Sequence, residues 1–284
     1  MILVTGAAGK TGLAVIGRLS GSQHRVRALV YKKEYTRAVR RAGASEVVIG
    51  DLRDRDVVDE ALGGVQAVYH IPPNVDRDEF PIGAALIEAA RAQGVDRFVY
   101  HSVLHPHVEA MPHHWQKMRV EEYLFTSGLA FTILQPAAYM QNILGQWDSI
   151  ESEGIFRMPY PPDTRISLVD LQDVARAAEI VLTRKGHRGA IYELAGTPPL
   201  SQFDVAALLS TILGREIRAD RISIKSWEQN AREAGLDAYA VETLIKMFRY
   251  YRAYGFEGNP SVLMWLLGRP PTGFEEAIKR ELAL

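Results

Sequence analysis

Glycines at positions 6, 9 and 12 stand directly after an apolar run, Ile2-Leu3-Val4, and directly before an amphipathic stretch that begins at Leu13. Three consecutive apolar residues without polar alternation suit a strand buried on both faces of a parallel sheet. Leu13, Ala14, Val15, Ile16 and Leu19 then repeat at helical spacing. Strand, glycine turn and helix start follow one another in the layout of a dinucleotide-binding βα unit. In such a unit Gly6 permits the tight turn, Gly9 lets the backbone approach a pyrophosphate, and Gly12 lets the helix pack against the strand. The helix N-terminus offers N–H donors and a partial positive charge to phosphates. The spacing is G-x-x-G-x-x-G, distinct from the G-x-G-x-x-G of long-chain dehydrogenases.

Downstream, strand-like and helix-like segments alternate. Arg25 to Val30 reads as a second strand, followed by a basic helix from Lys33 to Arg41. Ser45 to Gly50 is a third strand, Asp56 to Leu62 a short helix, and Val65 to His70 a fourth strand stopped by Pro72 and Pro73. Ile82 to Ala92, Arg97 to His101, His113 to Ser127 and Ala130 to Leu134 continue the alternation as helix, strand, helix and strand. Connections are short except between Ser102 and Pro112. This order predicts an α/β, Rossmann-type, doubly wound parallel sheet with ligands at the C-terminal strand ends. Ala138 to Ile150 then reads as helix, Gly154 to Asp163 as irregular, and Asp170 as the cap of a helix to Leu182. Ala190 to Leu194 is expected to be the last strand. Beyond Gly196 the chain reads as mainly helical, with Ser201 and Ser226 opening helices and a long one from Leu236 to Tyr254. The expected division is a nucleotide-binding domain of residues 1–142 and 166–196, and a smaller, mainly helical C-terminal substrate cap of 143–165 and 197–284.

Composition narrows the function. The 284 residues carry a formal net charge of −1, which gives nucleic acid no electrostatic reason to bind. Cysteine is absent, so disulfides, thiolate catalysis and cysteine-ligated metals are excluded. No apolar run approaches the roughly 18–20 residues of a membrane span, and no signal peptide precedes the first strand, so a cytoplasmic protein is the default expectation.

The end of the second strand bears on the cofactor. An NAD-type site places a carboxylate there for the ribose 2′-hydroxyl. Here the corner reads Val30-Tyr31-Lys32-Lys33. No acid stands where it would repel a 2′-phosphate, and Lys32 and Lys33 can neutralise one, unless they are simply solvated. NADP is therefore expected over NAD. Asp51, beside Leu52, can bond the adenine amino group or cap the Arg53–Asp56 turn. Ile71 and Pro72 are expected beneath the nicotinamide half.

The chain resembles the NmrA-like group of atypical short-chain dehydrogenase/reductases. The residues that carry the resemblance are Val4 to Gly12, Gly50-Asp-Leu52, Val99-Tyr-His-Ser102, Lys117 with Val120-Glu121, Leu134-Gln-Pro136 with Asn142, Ser167 to Asp170, Asp173-Val-Ala175 and Leu267 to Thr272. The resemblance spans essentially the whole chain. It implies NADPH-dependent reduction of quinone-like or dye-like small molecules, or alternatively a non-catalytic NADP(H) sensor that acts through a protein partner.

Reductases of the wider family use a serine and a Tyr-x-x-x-Lys pair. By the resemblance Ser102 takes the serine position and Lys117 the lysine position, where it would hold the nicotinamide ribose. His113 stands where the tyrosine would be, one helical turn before Lys117. His113 either donates the proton or does no chemistry. Reducing an ordinary ketone leaves an alkoxide that needs a placed acid, whereas a quinone or delocalised cation yields a stabilised product. Loss of the tyrosine thus favours electron-poor aromatic acceptors. Ala8, Lys10 and Thr11 join the glycines around the pyrophosphate, and Pro136, Tyr139 and Asn142 are expected near the nicotinamide or substrate.

His101, His105, His107, His113 and His114 crowd one segment, but their spacing is not that of helical zinc-ligand pairs, so no metal site is expected. Trp227, Met247, Phe248, Tyr250, Tyr251, Tyr254, Phe256 and Trp265 either line a pocket for a flat ligand or form core. Monomer and homodimer are both compatible with the sequence.

Overall fold

A seven-stranded parallel sheet grows from the first apolar triplet. The computed structural model describes residues 1–283. β1 (Ile2–Val4) pairs on one side with β2 (Val26–Val30) and on the other with β4 (Ala67–His70), Val4 lying opposite Ala28 and Tyr69. β3 (Glu46–Ile49), β5 (Arg97–His101), β6 (Phe131–Pro136) and β10 (Ile191–Leu194) complete the order β10-β6-β5-β4-β1-β2-β3. Strand order reverses between β1 and β4, the position at which doubly wound sheets bind ligands.

By packing, the chain forms two units: residues 1–107, 114–135 and 174–192, and residues 108–113, 136–173 and 193–284. Residues 108–113, 136–142, 166–173 and 193–196, which the sequence reading joins to the nucleotide-binding domain, pack in the second unit.

In the first unit the helices α1 (Lys10–Gly21), α2 (Thr36–Ala42), α3 (Arg55–Leu62), α4 (Glu79–Ala92), most of α5 (Pro112–Thr126) and most of α7 (Leu171–Thr183) alternate with the strands. Leu3, Val68, Phe98, Tyr100 and Ile133 meet Leu86, Ile87, Val120 and Leu124 in one buried cluster. Each such side chain contributes about 1.5–3 kcal/mol by leaving water. On α1, Val15, Ile16 and Leu19 are buried, while Arg18 and Ser22 anchor to Glu179 of α7. The basic helix expected from Lys33 is instead a 3-10 turn over Lys33–Tyr35 and then α2.

The second unit departs more from expectation. The stretch 138–150 is not one helix. Ala138–Tyr139 is a short strand, β7, paired with β9 (Leu168–Val169); Met140–Gln146 is a 3-10 segment, and α6 (Trp147–Glu153) follows. Ile155–Met158, expected to be irregular, is β8, and it pairs in parallel with β11 (Arg218–Arg221). β10 is therefore not the last strand. The charge-rich Arg-Ala-Asp-Arg of β11 hides its strand character, and only the distant partner fixes it. α8 (Gln202–Leu213) starts at a Ser201/Asp204 capping box. α9 (Ile224–Glu233) is capped by Ser223, whose side chain accepts the Ser226 N–H, so Ser226 is inside the helix, not its cap. α10 (Ala238–Tyr254), α11 (Pro260–Leu267) and α12 (Phe274–Leu282) follow.

Ile143, Ile150, Phe156, Leu209, Phe274 and Ile278 form the core of this unit. Phe248, Tyr251 and Phe256 are buried, with Tyr251 stacked on Phe256 at 4.9 Å and Trp227 edge-on to Phe248 at 4.7 Å. Phe248, Tyr251 and Phe256 are core and Trp227 is half-buried, whereas Tyr254 and Trp265 are exposed. Asp173, fully buried, accepts the Thr272 N–H at 2.6 Å and pairs with Arg269. Asp170 takes Gln141 and Arg280 on one oxygen, each at 2.7 Å. No helix among the described residues is long and apolar enough to cross a membrane.

Candidate functional site

The β1–α1 turn does what its glycines require. Gly6 has φ +57°, and a Cβ there would come within 2.8 Å of the Ile71 carbonyl oxygen. The turn after β1 is thus pressed against the turn after β4. A Cβ on Gly12 would stand 2.5 Å from the Ala7 carbonyl oxygen, so a glycine is needed there to clear its own loop. α1 begins at Gly9, which has no side chain to cap it, and its first turn contains no acid. Nothing in that first turn repels an anion brought to the helix end. Ala8 is half-buried, Gly9 and Lys10 are exposed, and Thr11 is buried.

Thr5 joins the two turns. Its N–H reaches the Tyr69 carbonyl at 3.1 Å. Its hydroxyl oxygen accepts the Ile71 N–H at 3.0 Å and lies 2.8 Å from His70 Nδ1. Ile71 is half-buried and Pro72 buried, held at the strand-order reversal by these bonds.

At the end of β2, Tyr31, Lys32 and Lys33 are all exposed, and neither lysine has an ion-pair partner among the described residues. Asp51 Oδ1 accepts the Arg53 N–H at 2.9 Å and lies 3.5 Å from the Arg53 guanidinium, the capping arrangement, with Leu52 half-buried beside it.

Two buried carboxylates organise the far side of β4 and β5. Lys117 Nζ, on α5, donates to Glu79 Oε1 at 2.7 Å, and Glu79 is fully buried at the start of α4. Tyr100 of β5 donates its hydroxyl to the same oxygen at 2.9 Å. Ser102, just past β5, donates its hydroxyl to Glu121, and Gln135 Nε2 reaches both Glu121 oxygens, at 3.0 and 2.9 Å. Burial raises the Glu121 carboxyl above its ordinary range, against the pull of Ser102, Gln135 and Lys117. Burial, and then the Lys117 charge, push the imidazoles of His70 and His101 down to about 3. His114 is likewise at about 3, chiefly through burial. These rings are neutral through the physiological range. His101 Nδ1 lies 2.7 Å from the Tyr69 hydroxyl.

The hydroxyl hydrogen of Ser102 is directed at Glu121. His113 shares α5 with Lys117 but belongs by packing to the second unit, as do Pro136, Tyr139 in β7, and the exposed Asn142. Thr5, His70, Glu79 and Tyr100 escape the sequence reading. Glu79 looks like an ordinary acid in a helix's first turn, and its partner lies 38 residues away.

Residues 1–276 match the profile of the NmrA-like family. The chain belongs to the NmrA-like family. It is 31% identical over 288 residues to the NAD(P)H azoreductase of Xenophilus azovorans, with 100% of this chain and 98% of that one covered. Against quinone oxidoreductase 2 of Escherichia coli (strain K12), identity is 26% over 280 residues, covering 98% and 97% of the two chains. The crystal structure of the NADPH-dependent quinone oxidoreductase QOR2 of Escherichia coli complexed with NADPH matches with a TM-score of 0.85 at 26% identity, covering 99% of this chain and 100% of that one. The segments that signal the NmrA-like family are joined in space. Ser102, Glu121 and Gln135 bring three of them into one buried network, and Asp173 with Arg269 and Thr272 unites two more.

Proposed function

We propose that this oxidoreductase uses NADPH to reduce a planar, electron-poor small molecule of the quinone or dye type. NADPH, when bound, supplies the hydride. Gly6, Ala8, Gly9, Lys10, Thr11 and Gly12 surround the pyrophosphate, where the uncapped start of α1 favours negative charge. Tyr31, Lys32 and Lys33 hold the 2′-phosphate, Asp51 and Leu52 flank the adenine, and Ile71 and Pro72 support the nicotinamide. Lys117 holds the nicotinamide ribose.

One observation carries the choice of acceptor. Ser102 gives its hydroxyl hydrogen to Glu121, and the neighbouring Tyr100 gives its own to Glu79. Neither hydroxyl is directed outward as an acid. An acceptor whose reduced form is stabilised by its own conjugation fits such a site better than a ketone, whose alkoxide needs a donor at once. The full-length similarity to an azoreductase and a quinone oxidoreductase supports the same acceptor class.

The test is NADPH consumption, followed at 340 nm, across quinones, azo dyes, triphenylmethane dyes and simple ketones. Turnover of the conjugated acceptors with the ketones inert is expected. Faster turnover of ketones would overturn the acceptor class. Tight NADPH binding with no turnover would favour instead a non-catalytic sensor acting through a protein partner.

A further inference from the structure

We propose that Glu79 is a positioning residue for Lys117, fixing where the ammonium meets the nicotinamide ribose; this rests on the reading that Lys117 holds that ribose. A lysine carries a compact charge on a flexible stem, so by itself it defines a contact poorly. Here Lys117 has one hydrogen-bond partner among the described residues, Glu79 Oε1 at 2.7 Å. Glu79 has no exposed surface, so its carboxylate has no solvated position to swing into. The hydroxyl of Tyr100 holds the same oxygen at 2.9 Å from within β5. The ring of Tyr100 is stacked against His70 at 5.8 Å and 27°, and His70 is bonded to Thr5. A continuous set of contacts therefore runs from the β1 and β4 ends through Tyr100 and Glu79 to the lysine amine.

Stability alone does not account for the pair. A buried ion pair is generally no better for folding than apolar residues of similar volume. Both donors also converge on Oε1, and Oε2 of Glu79 is buried with no partner among the described residues. A carboxylate retained only for structure would be expected to satisfy both oxygens. The convergence instead aims Lys117 from one side, as the support of a binding contact should.

The experiment measures dissociation constants by calorimetry for two probes, NADPH and 2′,5′-ADP, the second lacking the nicotinamide ribose. Glu79→Gln keeps the shape and an acceptor oxygen but removes the charge. It should raise the Kd for NADPH by roughly tenfold and leave that for 2′,5′-ADP within about twofold. Tyr100→Phe, which leaves the carboxylate intact, should produce a smaller loss confined to NADPH. Lys117→Met should weaken NADPH at least as much as Glu79→Gln, and combining the two should add nothing further. The proposal is overturned if Glu79→Gln leaves NADPH affinity unchanged while Lys117→Met weakens it. It also fails if both probes weaken equally, or if the two substitutions add in full. Unchanged NADPH affinity in Lys117→Met would overturn the ribose assignment itself.

Discussion

Ser102 and Glu121 share a buried hydrogen bond, the serine hydroxyl donating from the end of β5 to a carboxylate on α5 that is 2% exposed. The proton of this serine therefore serves the interior. Ser102→Ala should lower stability more than it lowers turnover. Removing one donor from a buried carboxylate costs about 1–3 kcal/mol, whereas kcat with a quinone should fall by less than about threefold. Urea unfolding and steady-state kinetics on the same preparation give both numbers, and a hundredfold loss of kcat with unchanged stability would contradict the assignment.

Lys32 and Lys33 lie at the end of β2, exposed and without ion-pair partners among the described residues. Replacing both with alanine should weaken NADPH binding by about tenfold or more while leaving NADH nearly unchanged, since only the 2′-phosphate distinguishes the two. The loss should shrink in high salt, because both side chains are solvated. Equal losses for the two nucleotides would place the 2′-phosphate elsewhere.

Gly12→Ala introduces a Cβ within 2.5 Å of the Ala7 carbonyl oxygen, a backbone atom that cannot rotate away. The loop must shift, so NADPH affinity is expected to drop by at least about tenfold and folding stability by about 1–3 kcal/mol. Gly9→Ala meets only the Gly6 carbonyl oxygen, at 3.4 Å, and should be milder for folding. Titrating both variants with NADPH and melting them in its absence separates binding from folding.

Acid should unfold the protein earlier than its carboxylates alone would predict. His70 and His101 have imidazoles held at about 3, against 6.5 for an ordinary one. Below pH 6.5 the unfolded chain takes up protons that the folded chain refuses, so the stability is whole above that pH and declines as pH falls towards 3. Each ring removes about 2 kcal/mol by pH 5. His70→Asn should flatten the dependence between pH 6.5 and 4 in proportion to one proton, measured as urea midpoints against pH. A slope identical to that of the parent protein would show that His70 is protonated in the fold.

Much of the first unit is legible because its signals are local. Val4, Gly6 and Gly12 declare a strand and a turn within a few residues, and the alternation after them leaves little freedom in topology. The carboxylates are not legible in this way. Glu79 meets its lysine 38 residues on, and Glu121 meets Ser102 19 residues back, so each reads locally as an unremarkable helix acid. β8 and β11 are hidden likewise, since Ile155 finds Arg218 only in the folded chain. Ser223 rather than Ser226 caps α9 because two serines three residues apart offer the same local chemistry, and the chain path after β11 selects between them.

The two units interleave along the chain, and this sets an order for assembly during synthesis. The first unit includes residues 174–192, so a nascent chain cannot complete it until Tyr192 has emerged. Asp173, only one residue before that last segment, waits for Thr272 and Arg269 to satisfy its buried carboxylate. At ordinary elongation rates the 80 residues from 192 to 272 take roughly 4–16 s. For that interval the residues of the first unit are all in hand while the second unit still lacks the partners of Asp173, so nucleotide binding would stabilise the first unit before the second can fold.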